Sequence, residues 1–222
     1  SVKYNSYKMF SESVIDNVWG VISSGHTTTA LETYPIYSKE IEKLKKFWKE
    51  ISPFIHLDFF YFESPTQQAN ISFAYQRYTD ALLYNGLFER RITNCITGLE
   101  AIYSKPLTLR ISKFLGIFGY DPHKIKTILS DAYTVRSIFV HGNEITPKKK
   151  RELKKEYGSL NRLLLYSLDY LRISIILMLF LKRRKKEIID LIDDALIDSK
   201  RQDELNTKLM QIKITLGLDT NI

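Results

Sequence analysis

Tyr133-Thr134-Val135-Arg136-Ser137-Ile138-Phe139-Val140-His141-Gly142 reads as the end of an amphipathic helix with an arginine where a core residue belongs. Projected at about 100° per residue, Ile125, Ile128, Leu129, Ala132, Val135 and Phe139 form one apolar stripe. Arg136 falls inside that stripe. Beside it, Tyr133, Ser137 and His141 follow at i, i+4 and i+8, so they share a polar row. Gly142 comes next, and glycine is the usual residue just past a helix C-terminus. A permanent charge on a buried face is costly unless it meets an anion or a partner. Two readings of Arg136 therefore stand: a structural ion pair and a phosphate-binding site. For His141 the structural reading is a helix cap that bonds the last carbonyls.

Working upstream, Asp121-Pro122 opens this helix as N-cap and first-turn proline. Leu107, Ile111, Phe114, Leu115 and Phe118 predict a short helix closed by Gly119, with Lys105-Pro106 breaking the chain before it. Gln67 to Tyr103 reads as one long helix. Ala81, Phe88, Cys95 and Ile102 recur every seven residues, as do Tyr78, Asn85, Ile92 and Leu99, which is a packing seam of helical bundles. Ser64-Pro65 reads as its start. Tyr37 to Ile51 predicts another helix, with Ile41, Leu44, Phe47, Trp48 and Ile51 on one face. Ser13 to Ile22 holds one or two helical turns, and Phe54 to Phe62 leaves helix and strand both open.

Downstream, Thr146-Pro147 is a helix start, but Lys148-Lys149-Lys150-Arg151 puts positive charge at the positive end of the helix dipole. That run is either a loop or held by an anion. Ser159 to Leu181 is strongly apolar. Its uninterrupted part, Ile173 to Leu181, is shorter than the ~20 residues of a membrane span, and Asp169 and Arg172 precede it. It is expected to be a central buried helix, with no membrane span. Lys182 to Lys186 suits a helix C-terminus. Then Ile188, Leu191, Ile192 and Leu196, and Leu205, Leu209, Ile212 and Leu216, predict amphipathic helices that join the bundle or pair subunits.

Composition narrows the class. The 222 residues contain only 9 Gly and 6 Pro, which favours long helices with few turns. The net charge of +8 and pI near 9.3 suit a polyanion such as RNA, DNA or an anionic membrane surface. A lysine-rich surface that merely keeps the chain soluble explains the same number. The single Cys95 excludes an internal disulfide and a cysteine zinc site, and fits a reducing, cytoplasmic setting. His26, His56 and His123 show no ligand spacing. There is no Gly-rich phosphate loop, no G-x-S-x-G and no H-E-x-x-H, so neither metal nor cofactor is expected.

Arg136 to His141 with Gly142 spells R-x4-H-G, which resembles the signature of HEPN domains. Gly98-Leu99-Glu100-Ala101-Ile102-Tyr103 resembles the L-E-A-L-Y segment of the Apea-like branch, and Ala132 to Ser137 resembles its Y-x-x-R-S approach. The likeness covers residues 75 to 180. It implies an all-α, HEPN-type helical bundle of four to five core helices with N- and C-terminal helical extensions. The expected division is an extension over 1–65, a HEPN-like core over 66–186 and an amphipathic helical tail over 187–222. The activity implied is metal-independent RNA endonuclease chemistry in a toxin or phage-defence setting. Expected partners are RNA, a second copy of the chain through the motif helix, and an antitoxin or sensor domain.

Five residues of helix separate Arg136 from His141 by about 7.5 Å of rise and about 140° of rotation. One helix does not aim both at a single atom, whereas two copies about a two-fold axis can. By the resemblance, His141 takes the 2′-hydroxyl proton or protonates the leaving oxygen, and imidazole is the side-chain type suited to either near neutral pH. Arg136 holds the phosphate. Ser137 stands where the family often has Asn, Asp or His, but its hydroxyl still offers a hydrogen bond. Tyr133 either orients the phosphate or packs, and Glu100 either orients Arg136 or neutralises it. Lys148, Lys149, Lys150 and Arg151 either track an RNA backbone or form a solvated run. The rival readings are a non-catalytic HEPN module that binds RNA or nucleotide or dimerises within a larger protein, and a basic surface docked on anionic membrane.

Overall fold

The computed structural model describes residues 38–51, 69–84, 86–181 and 185–216. Outside them lie the stretches Ser13 to Ile22 and Phe54 to Phe62, the Ser64-Pro65 start, His26, His56, Asn85 and residues 182–184. The chain divides between Glu42 and Lys43, within the first described helix, and the site described below belongs to the second unit, Lys43–Ile222. The fold is all-α. Among the described residues there are nine helices: α1 (Ser38–Ile51), α2 (Ala69–Leu83), α3 (Phe88–Tyr103), α4 (Leu107–Phe118), α5 (Pro122–Val140), α6 (Pro147–Tyr157), α7 (Leu160–Leu181), α8 (Lys185–Asp194) and α9 (Ser199–Thr215).

The long helix expected from Gln67 to Tyr103 is two helices. The chain leaves α2 after Leu83 and re-enters helix at Phe88. Between them stands Asn85-Gly86, a turn-forming pair. The two helices then pack against each other in opposite directions. Arg91 Nε donates to the Ala81 carbonyl at 2.7 Å, Arg77 Nη1 donates to Asn94 Oδ1 at 3.3 Å, and Gly98 faces Ala74. The seven-residue spacing survives because both arms of the hairpin turn an apolar face to the same core. Ala81, Ile92, Cys95, Leu99 and Ile102 are buried, and Tyr78 and Phe88 are half-buried.

α3 is the centre of the bundle, with α2, α5 and α7 all packed on it. Gly98 makes the closest approach. A Cβ there would stand 2.8 Å from a Leu171 methyl on α7 and 3.3 Å from the Ala74 carbonyl on α2. α7 buries Leu163, Leu164, Leu168, Leu171, Ile173, Ile175, Leu177, Met178 and Leu179. By length and composition it could cross a membrane, but 67% of its most apolar window is covered by the rest of the protein. Its Ser167 and Ser174 hydroxyls are buried and bond back to the Leu163 and Tyr170 carbonyls. Tyr103 donates to Ser174 Oγ at 2.9 Å, so this polar pair in the core is satisfied. α8 and α9 lie against α4, burying Ile188, Leu191, Ile192, Leu205, Leu209 and Ile212. Leu196 is half-buried.

Several helix ends are closed by cations from other helices. Arg91 closes α2 through the Ala81 and Leu82 carbonyls. Lys185 donates to the Ala101 carbonyl at 2.6 Å, and Arg110 Nη1 reaches the Tyr103 carbonyl at 2.7 Å and the Lys105 carbonyl at 2.6 Å, so α3 ends on two positive charges. Burial, with Arg110 nearby, holds the Lys185 ammonium below its usual range. Lys213 is buried and donates to the Phe118 carbonyl at the end of α4 at 3.2 Å. The last carbonyls of a helix lack intrahelical partners and carry its partial negative charge, so cations belong there.

Candidate functional site

α5 holds the motif because its stripe is anchored. Ile125, Ile128, Leu129, Ala132 and Val135 are all buried, and Phe139 is half-buried. Asp121 caps the helix by accepting from the His123 and Lys124 amides, and Pro122 follows it. At the other end His141 is the C-cap, its amide donating to the Ser137 carbonyl at 3.2 Å. Gly142 takes φ +72, and the chain folds back with the Asn143 amide on the Ile138 carbonyl at 3.0 Å. A side chain at Gly142 would be strained by that left-handed backbone alone.

Arg136 turns towards α3. Its Nη2 donates to Glu100 Oε2 at 3.2 Å, with the two side chains 27% and 24% exposed. The contact is single-pronged. Arg136 Nε is buried and, among the described residues, has no hydrogen-bond partner. The guanidinium also stacks over the Tyr133 ring, 5.5 Å from its centroid. Glu100 and Tyr133 thus brace the arginine from two sides and leave part of its donor set unused. The buried Nε is closed to a ligand, and an added anion can meet only the part of the guanidinium that stays exposed.

Ser137 is half-buried and His141 is exposed. Among the described residues, neither the Ser137 hydroxyl nor the His141 imidazole makes a hydrogen bond. The imidazole is therefore open to solvent and to a partner. Arg136, Tyr133 and Glu100 are brought together, whereas His141 stands about one and a half turns beyond Arg136 at the helix end.

The basic run after the motif is helical. Thr146 caps α6 by accepting from the Lys149 amide at 3.2 Å. The anions that hold the run are the protein's own. Lys149 Nζ meets Asp131 Oδ1 at 2.9 Å, and Lys150 Nζ approaches Glu89 at 3.8 Å. Lys148 and Arg151 are exposed and, among the described residues, unpaired. The second Asp131 oxygen accepts from the Tyr157 hydroxyl at 2.8 Å. Burial first, then this bond to a carboxylate, pushes the Tyr157 hydroxyl well above its usual range.

Asp131 escaped the reading of the sequence. It is the single acidic residue within α5. A lysine run at the start of the next helix calls for a nearby carboxylate, and that is the signal that points to it. Set against known protein families, curated proteins and solved structures, the chain matches none of them.

Proposed function

We propose that the chain is a HEPN-type domain that cleaves RNA as a homodimer without a metal. The observation that carries this reading is the state of Arg136. It is half-buried, braced by Glu100 and Tyr133, and left with unused donors, about one and a half helical turns from an imidazole that makes no hydrogen bond among the described residues. The resemblance of Arg136 to Gly142 and of Gly98 to Tyr103 to the Apea-like branch supplies the reaction class.

In this reading the substrate's 2′-oxygen attacks the adjacent phosphorus and the bond to the 5′-oxygen breaks. His141 of one protomer takes the 2′-hydroxyl proton or delivers a proton to the departing 5′-oxygen. Arg136 places its free donors on the non-bridging oxygens and offsets the charge that builds there. Ser137 adds a hydroxyl. The products are a 2′,3′-cyclic phosphate and a 5′-hydroxyl, and DNA is inert for want of the attacking group. A toxin or phage-defence role follows by resemblance only.

The test is cleavage of RNA by the purified protein in EDTA. Activity is expected to disappear in both Arg136→Ala and His141→Ala, and a substrate with a single 2′-deoxy at the cut site should resist. The ion pair with Glu100 favours one rival, a HEPN module that binds RNA without cutting it. RNA bound but intact under all conditions would leave that rival, and no binding at all would remove both.

A further inference from the structure

Four consecutive cations open α6, and they do not behave alike. Lys149 and Lys150 turn back to Asp131 and Glu89. They share the inner side of the helix with the buried Leu153 and Tyr157. On the opposite side, Lys148, Arg151 and Lys155 fall within about 60° of one another. All three are exposed and, among the described residues, unpaired. Arg162 extends the row. Its guanidinium lies 3.7 Å from where a Cβ of Gly158 would be, at the C-terminal end of α6, and it too is exposed and unpaired among the described residues. Glu152 borders the row and is exposed, but makes no ion pair with these cations.

We propose that Lys148, Arg151, Lys155 and Arg162 form a phosphate ladder that carries a single RNA strand along the outer face of α6. This rests on the RNA reading above for the identity of the polyanion. Its own support is the separation of charges on one helix. Two lysines are neutralised from inside, and three cations on α6, with Arg162 from the start of α7, are unpaired among the described residues and line up outside over about 15 Å. Unpaired cations strung along one exposed face suit a partner whose negative charges repeat along a line. Five residues, Gly142 to Thr146, connect His141 to this helix, so the ladder begins close in the chain to the motif end of α5.

The test is binding of an all-2′-O-methyl oligonucleotide, which cannot be cleaved, followed by anisotropy across a salt series. The variant Lys148→Gln/Arg151→Gln/Lys155→Gln/Arg162→Gln is compared with Lys105→Gln/Lys113→Gln/Lys186→Gln/Lys200→Gln, which removes the same charge elsewhere. Each lost phosphate contact flattens the log–log salt slope by about 0.7, so the ladder variant should be shallower by about 3 and at least tenfold weaker at low salt. The control variant should stay near wild type. Equal losses in the two variants, or an unchanged slope in the ladder variant, would overturn the ladder and leave RNA binding standing. Wild type that fails to bind would overturn the RNA reading and the ladder together. Loss of binding to phosphatidylserine vesicles with RNA affinity intact would assign the face to membrane instead.

Discussion

Arg110 on α4 and Asp193 on α8 face each other fork to fork, Nε to Oδ1 at 2.7 Å and Nη2 to Oδ2 at 2.6 Å, across 83 residues of sequence. The arginine is buried, and its remaining Nη1 holds the Tyr103 and Lys105 carbonyls. One side chain thus joins the end of α3, the start of α4 and the C-terminal helices. Asp193→Ala should strand that cation. Because Asp193 is 40% exposed, solvent softens the loss, and about 2 kcal/mol is expected in urea unfolding. In Arg110→Met/Asp193→Ala the second change should cost much less than it does alone.

Gly98 should tolerate no branched side chain. The Ala74 carbonyl is backbone and cannot retreat, and Leu171 is in the core. Gly98→Val is expected to lose about 2–3 kcal/mol through overpacking. Trimming the neighbour with Leu171→Ala should make the pair less damaging than the two losses added. Denaturant midpoints of the four proteins check this.

Glu100→Gln should leave Arg136 braced by Tyr133 but without its anion. Both partners are about a quarter exposed, so the loss of stability is modest, about 1 kcal/mol. The diagnostic is recovery. Sulfate or phosphate should raise the melting temperature of Glu100→Gln by several degrees more than that of wild type, by binding the freed guanidinium. In Glu100→Gln/Arg136→Ala the anion effect should vanish. Equal anion effects in wild type and Glu100→Gln would show that the carboxylate does not occupy the anion's place.

Cys95 should be silent to thiol reagents in the folded protein. It is buried, and burial pushes its thiol up to about 12. The thiolate is the reactive form, so at pH 8 the native chain should react with a disulfide reagent only as fast as it opens. The rate should rise by orders of magnitude in denaturant. Raising the pH from 7 to 9 should leave native labelling far slower than that of the unfolded chain, because folding holds the group protonated throughout that window.

The local signals were plain in the chain. The stripe from Ile125 to Val135 predicted the buried face of α5, and Asp121, Pro122, Gly119 and Gly142 marked its ends and the end of α4. The Arg136–Glu100 contact was one of two readings, because a half-buried cation demands a carboxylate. What stayed hidden was non-local. A seven-residue repeat runs unbroken through Asn85-Gly86, since both arms of a hairpin face one core. Periodicity therefore cannot tell one long helix from two short ones. Nothing near Arg110 announces Asp193, and the lysine run that calls for a carboxylate does not by itself say that Lys149 meets Asp131. Those pairings depend on how helices far apart in sequence come to lie together.

The cations that close helix ends also set an order of events during synthesis. A chain leaves the ribosome N-terminus first. By the time Gly142 emerges, Glu100, Arg136 and His141 all exist, yet the Ala101 carbonyl beside Glu100 still awaits Lys185, and the Phe118 carbonyl awaits Lys213. Asp193, which locks Arg110, also arrives after Gly142. The nascent protein therefore carries the complete motif well before the frame around it can shut, and the frame shuts only once Lys213 has followed.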